Sequence, residues 1–374
     1  MDPITGLKNG AKSTLEKKYG RREFIKIITS AAAAIGLSGS AAVQMVEAAT
    51  QGLKPSVIWL HFQECTGCTE SLLRSSHPEL GELILDLISL DYHETLCAAA
   101  GHQVEKSLHD AMELNKGKYV LIVEGAIPLK DDGIYCKIAG KTALDLLNEV
   151  AAGAGAVIAI GSCASFGGIP ASGPNPTGAT GVPMIIKDKP VVTLPGCPAN
   201  PYNLLGTVLQ YVTLGTLPAL DEKGRPLFAY ARTIHEDCPR RAHFDAGRFA
   251  QQFDDDGHRQ GYCLYKLGCK GPATHANCSI QHFGEVPGAW PSGIGHPCVG
   301  CTEQELAVQV PIHTTVDIER PTPPDTYPPI HAEHGGPGPV ATAVGGAVVG
   351  AALGAAWVHS KKLDKETDGT GKEE

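Results

Sequence analysis

The fold turns on SVIWLHFQECTGCTE, Ser56–Glu70. Its first six residues form a short apolar run with no helical spacing, which reads as a strand buried on both faces. Two cysteines, Cys65 and Cys68, follow at once, flanked by Glu64 and Glu70. A C-x-x-C pair can be a redox dithiol, half of a zinc site or half of an iron–sulfur site. What else reaches the end of that strand decides between them.

Three further runs read as buried strands: Tyr119–Glu124, Ala156–Ile160 and Pro190–Leu194. Leu80–Leu90, Lys141–Ala152 and Pro201–Leu214 carry helical spacing. Alternation of this kind predicts a parallel sheet covered on both faces, with ligands gathered at the carboxyl ends of its strands. Cys163, in GSC, follows the second of these runs, and Cys197, in PGCP, follows the third. With Cys65 and Cys68 they put four thiols on one sheet edge. Four converging thiolates suit zinc or an iron–sulfur cluster. Thioredoxin-like chemistry uses one pair at a helix start and no outside sulfurs, and fits poorly.

The second half changes character. Helical periodicity fades into loops rich in Gly, Pro and His, and three ligand groups appear. His235 and Cys238 form an H-x-x-C. Cys263 and Cys269 lie in CLYKLGCKG. Cys278 is followed by Cys298 and Cys301 in GHPCVGC. A loop-rich region of about 90 residues cannot readily supply its own core, so metal clusters are expected to hold it. The eleven candidate ligands divide as four, four and three. A three-ligand set is unusual for structural zinc and natural for a 3Fe-4S cluster. Cys97 and Cys136 are expected to be buried apolar side chains with no ligand role. His61, His102, His282 and His296 are read as hydrogen-bonding residues.

The chain has 374 residues, a net charge of −9 and no dominant basic block, which argues against a nucleic-acid partner. Its 44 glycines and 27 prolines predict long ordered loops. Residues 1–48 read as a twin-arginine signal built on Arg21 and Arg22, with cleavage after Ala48. That route exports folded proteins, so metal–thiolate sites can be assembled before export. Disulfides, the usual use of cysteine in an exported chain, are the competing reading. Residues 319–338 read as a Pro-rich stalk, residues 339–358 as a transmembrane anchor and residues 359–374 as a cytoplasmic tail. No ionisable side chain occurs from Gly335 to Val358, and Lys361 and Lys362 follow. A flexible Gly/Ala linker is the alternative for that stretch.

The motifs WLHFQECTGCTESLLR, GSCASFGGI, PGCPANP, RTIHEDC, HFDAGRFA, CLYKLGCKGP, NCS and GHPCVGC occur in this order. From about Pro55 to Glu303 the chain closely resembles the small subunit of periplasm-facing nickel–iron hydrogenases, most nearly the membrane-bound hydrogenase-2 type. The resemblance implies an α/β fold. A flavodoxin-like parallel-sheet domain (49–230) would be followed by a loop-rich iron–sulfur domain (231–318) and a C-terminal transmembrane helix. It implies a proximal 4Fe-4S cluster on Cys65, Cys68, Cys163 and Cys197. A distal 4Fe-4S cluster would use His235, Cys238, Cys263 and Cys269, and a medial 3Fe-4S cluster Cys278, Cys298 and Cys301. Trp290-Pro291 lies where a fourth medial ligand would otherwise be expected. The implied role is electron transfer from dihydrogen oxidation on a separate nickel–iron large subunit to a membrane acceptor.

The acceptor expected is an integral quinone-linked or cytochrome b subunit, with a ferredoxin-like subunit as a further candidate. A dimer of heterodimers at the periplasmic face of the inner membrane completes the expectation. The chain itself carries no second cysteine set able to hold nickel and iron, so catalytic residues belong to the partner. In the oxygen-tolerant branch of the family, extra cysteines occupy the positions of Gly67 and Gly168, so an oxygen-sensitive enzyme is expected. Two other classes compete. One is a different iron–sulfur carrier, such as a quinone-reductase subunit, and the other is a zinc-stabilised surface protein.

Overall fold

The computed structural model describes residues 54–75 and 88–319, together with Pro323. The expected leader, anchor and tail, and the stalk apart from Glu319 and Pro323, lie outside the described residues. No helix among the described residues is long and apolar enough to cross a membrane.

Five parallel strands form one sheet: β1 (Ser56–His61), β2 (Ser89–His93), β3 (Val120–Glu124), β4 (Ala156–Ile160) and β5 (Val191–Leu194). Their spatial order is β2-β1-β3-β4-β5, all parallel, which is the flavodoxin-like order. Strands β1, β3, β4 and β5 are continuous apolar runs because helices or loops cover both their faces. On one face, Ile58, Leu60, Leu121, Val123 and Val157 pack against Leu108 of α2 (His102–Leu114) and Leu146 and Val150 of α3 (Ala143–Ala152). On the other, Val57, Trp59, Ile122, Ile158 and Val192 pack with Leu72 of α1 (Gly67–Leu73) and Leu204 and Val208 of α5 (Pro201–Leu214). The loop-rich second half joins this second core through Ile234, Cys238, Trp290 and Cys298.

Local signals explain the helix limits. The Thr142 side chain accepts from the Asp145 amide and caps α3, and Lys189 Nζ donates to the Ala151 carbonyl at its other end. Helix α5 opens with an Asn200 cap and Pro201, and ends at Gly215 in the left-handed region.

Two sequence expectations fail. The predicted helix Leu80–Leu90 runs into β2, which takes Ser89 and Leu90, while residues 80–87 lie outside the described set. Strand β2 is the edge strand beside β1, and three of its five residues are only half-buried. Its polar SLDYH pattern therefore gives little strand signal. Cys97 and Cys136 are half-buried rather than buried. Cys97 Sγ accepts from the His93 amide at 3.2 Å, and Cys136 packs at the margin of the α3 face.

Leu121 sits in the central strand and is fully buried. Truncation to Ala should remove about 2–5 kcal/mol of stability through the cavity it leaves. The thermal unfolding midpoint measures this. A change no larger than that of Leu114→Ala, at an exposed position, would contradict the central placement of β3.

Candidate metal centres

The sheet brings Cys65, Cys68, Cys163 and Cys197 to one edge, as the strand ends predict. Cys65 follows β1, Cys68 lies in the first turn of α1, Cys163 in the short helix α4 (Gly161–Phe166) after β4, and Cys197 after β5. The turn into α1 is held by Glu124, the last residue of β3 and 2% exposed. Its Oε1 accepts from the amides of Cys68 (3.0 Å) and Thr69 (3.3 Å), and its Oε2 from Thr69 Oγ1 (2.6 Å) and Trp59 Nε1 (3.2 Å). The residue before α1, Thr66, offers no side-chain cap. A carboxylate from the neighbouring strand thus satisfies the orphan amides at the positive end of the helix.

Glycines keep space around the thiols. A Cβ on Gly161 would stand 2.5 Å from Cys68 Sγ, one on Gly168 2.9 Å from Cys163 Sγ, and one on Gly67 3.1 Å from Cys65 Sγ. Cys65 and Cys197 are exposed, as is the side chain of Ile169, whose backbone hydrogen-bonds the Cys163 thiol.

Cys278, Cys298 and Cys301 border a cavity of about 500 Å³. Trp290 and Pro291 line its wall, and so does Cys197 from the sheet edge. Ser162 stitches these loops together. Its Oγ donates to the Cys301 carbonyl (2.5 Å) and accepts from the Gly196 amide (3.0 Å). Behind the Cys301 turn, Glu303 accepts from Arg225 Nη1 (2.7 Å), Lys223 Nζ (2.7 Å) and the His275 amide (3.0 Å). Burial alone would raise this carboxyl, but its partners hold it down at about 2.

His235, Cys238, Cys263 and Cys269 line one small pocket. His235 Nε2 is buried with no hydrogen-bond partner among the described residues. Burial, helped by the nearby Arg241 charge, pushes the imidazole down to about 4. It is therefore neutral at pH 7, with a lone pair available to a metal. The Cys298 amide donates to Cys269 Sγ at 3.3 Å, linking this set to the preceding one.

None of the twelve cysteines is paired in a disulfide. Among the described residues no three His, Cys, Asp or Glu side chains close around a point where one metal ion would sit. Burial pushes Cys163 and Cys301 up to about 11, and Cys238, Cys263 and Cys278 up to about 12. It raises Cys68 and Cys298 well above the usual thiol range. Thiolates here require a cationic partner to neutralise them, and the donor sets fit thiolate-bound inorganic cores.

Three of the other histidines, His61, His282 and His296, have polar partners as expected. His61 Nδ1 lies 3.3 Å from Glu64, His282 Nδ1 accepts from the Gly288 amide, and His296 Nδ1 faces the Pro297 carbonyl. His102 stands exposed at the start of α2. Glu64 is largely buried, with Oε2 unpartnered among the described residues, and burial beside Glu124 raises its carboxyl. Glu70 is exposed in the first turn of α1. Glu124 escaped the sequence reading. Its one signal was a carboxylate closing an otherwise apolar strand, YVLIVE.

The hydrogenase-2 small chain of Escherichia coli K12 is 50% identical to this chain over 358 residues, covering 95% of this chain and 96% of that protein. This chain belongs to the small subunits of nickel–iron hydrogenases. The family model for the C-terminal part of the NiFe/NiFeSe hydrogenase small subunit matches residues 230–313, which hold the His235, Cys278 and Cys298 sets. The model described as NADH ubiquinone oxidoreductase, 20 Kd subunit, matches residues 65–211, the sheet-edge region. The quinone-reductase alternative thus shares the sheet half, and the second half separates the two. The quinone-reactive Ni/Fe-hydrogenase small chain of Wolinella succinogenes is 46% identical over 293 residues, covering 78% of this chain and 82% of that protein. The solved [NiFeSe]-hydrogenase of Dm. baculatum, H2-activated and crystallised under air, is 34% identical, with a TM-score of 0.64. It covers 71% of this chain and 100% of the matched chain.

Gly161 lies at φ +79°, and a methyl there would collide with Cys68 Sγ. Gly161→Ala should therefore disrupt the sheet-edge set alone. The purified small subunit should lose about four irons. Unchanged iron content would show that the sheet-edge thiols bind none.

Proposed function

We propose that this hydrogenase small subunit relays electrons from dihydrogen oxidation on a nickel–iron large subunit to a membrane quinone-linked acceptor. Bound iron–sulfur clusters supply one-electron redox centres. Cys65, Cys68, Cys163 and Cys197 would hold a proximal 4Fe-4S cluster. Cys278, Cys298 and Cys301 would hold a medial 3Fe-4S cluster. His235, Cys238, Cys263 and Cys269 would hold a distal 4Fe-4S cluster. The observation that carries the reading is contact between successive ligand sets. Cys197 borders the cavity of Cys278, Cys298 and Cys301, and Cys298 donates its amide to Cys269 Sγ.

The chain's own residues act by position and polarity. Glu124 and Ser162 fix the loops that present the sheet-edge and medial thiols. The neutral His235 carries one negative charge fewer than a thiolate, which favours a higher potential at the distal set. The exposed Cys65, Cys197 and Ile169 mark the edge that the large subunit would cover. A twin-arginine leader over 1–48 and an anchor over 339–358 would set the assembly on the periplasmic face of the inner membrane. The acceptor would be an integral quinone-linked or cytochrome b subunit, with or without a ferredoxin-like one, and the heterodimers would pair. Gly67 and Gly168 leave no extra thiolate at the sheet-edge set, which supports an oxygen-sensitive enzyme.

The complex purified from membranes should contain about eleven irons per small subunit and a nickel-containing partner. The oxidised form should give a 3Fe-4S EPR signal. Zinc with little iron, or the absence of a nickel subunit, would refute this function. Sustained hydrogen oxidation in air would refute the oxygen-sensitive assignment alone.

A further inference from the structure

Lys270 is an unusual side chain for its location. It follows the ligand Cys269, yet it is only 1% exposed. Its amide donates to the Cys298 carbonyl at 2.8 Å. Its stem lies over the C-x-x-C turn, because a Cβ on Gly300 would stand 3.2 Å from Lys270 Cδ. Its ammonium donates to the carbonyls of Pro311 (2.9 Å) and Val310 (3.3 Å), in the segment that follows the helix Gln304–Gln309. No carboxylate among the described residues pairs with it. A buried cation is stable only where nearby negative charge or oriented dipoles replace water. Two carbonyls supply part of that. Burial lowers its ammonium from the usual lysine range, and Cys298 and Cys269, one from each of two ligand sets, oppose that shift.

We infer that Lys270 is a fixed positive charge shared by the medial and distal centres, which raises the potential of both and leaves the proximal one largely unaffected. The inference rests on the cluster assignment above. Reduction adds one negative charge to a centre, and a cation held beside Cys269 and Cys298 in a poorly polarisable interior favours the reduced state. Because Lys270 spans both ligand sets, it lifts them together and leaves the energy step between them little changed. Lys270 is thus a positioning and electrostatic residue, not a ligand. Its ammonium also anchors the 310–311 backbone, so a test must separate charge from anchoring.

The test is an EPR-monitored redox titration of the intact heterodimer carrying Lys270→Met. The expected result is a negative shift of the medial and distal potentials. At a fixed potential the oxidised-to-reduced ratio should rise about tenfold, equivalent to 59 mV for one electron. The proximal potential should move far less, and Lys270→Arg should leave all three in place. Tyr265→Phe removes the Tyr265–Val316 hydrogen bond on the same segment without changing charge, and should not shift them. If Lys270→Met does not assemble, Lys270→Gln keeps a donor toward the two carbonyls and gives the same reading. Unmoved medial and distal potentials, or an equal shift in Tyr265→Phe, would overturn the role of Lys270. A wild-type complex without iron–sulfur signals would instead overturn the cluster assignment.

Discussion

The carboxylate of Glu124 is the interaction on which the sheet-edge architecture depends. It leaves the end of β3 and takes up the first amides of α1, together with the Thr69 hydroxyl and the Trp59 indole. A helix start beside a parallel sheet leaves several amides without partners, and burying them unpaired would cost about 1–3 kcal/mol each. With Glu124 in place, α1 can begin immediately after β1. Cys65 and Cys68 are then presented toward the ends of β4 and β5.

From that edge the rest of the molecule follows by packing. The loop-rich half has few helices of its own and lays Ile234, Trp290 and Cys298 onto the same sheet face as α5. The three ligand groups are consequently contiguous. Ser162 ties the β4 turn to the Cys301 carbonyl, and Lys270 lies between Cys269 and the Cys298–Cys301 turn. Polar groups do the joining, and each has a partner on the far side of a ligand loop.

Much of this was legible in the sequence where burial was complete. Runs such as SVIWLH and AVIAI can satisfy their apolar surfaces only inside a covered sheet, and they form β1 and β4 with the expected limits. Helix α5 is announced by Asn200, Pro201 and Gly215. The gathering of the four sheet-edge cysteines followed from their positions just after strand ends in a parallel sheet. Edge strand β2 was hidden because it needs only part of its surface covered. Helix α2 was hidden because just Leu108 and Ala111 are buried along it. Glu124 and Lys270 could not be found from pattern, since their partners lie far along the chain or are backbone carbonyls. The shared cavity of Cys197 and the second-half cysteines is likewise a tertiary fact.

The spacing of the proposed ligands along the chain would also set an order of assembly. The set from His235 to Cys269 is drawn from one short stretch and closes a small loop. The sheet-edge set spans Cys65 to Cys197 and cannot meet until β5 has paired with β4. Closure entropy grows only slowly with loop length, but non-local pairing is slow to nucleate. A cluster on the proposed sheet-edge set would therefore be a checkpoint on the folded state, because it could be filled only after the sheet is complete. A chain routed for transport in the folded form would carry, in that site, a record that its first half had reached its native topology.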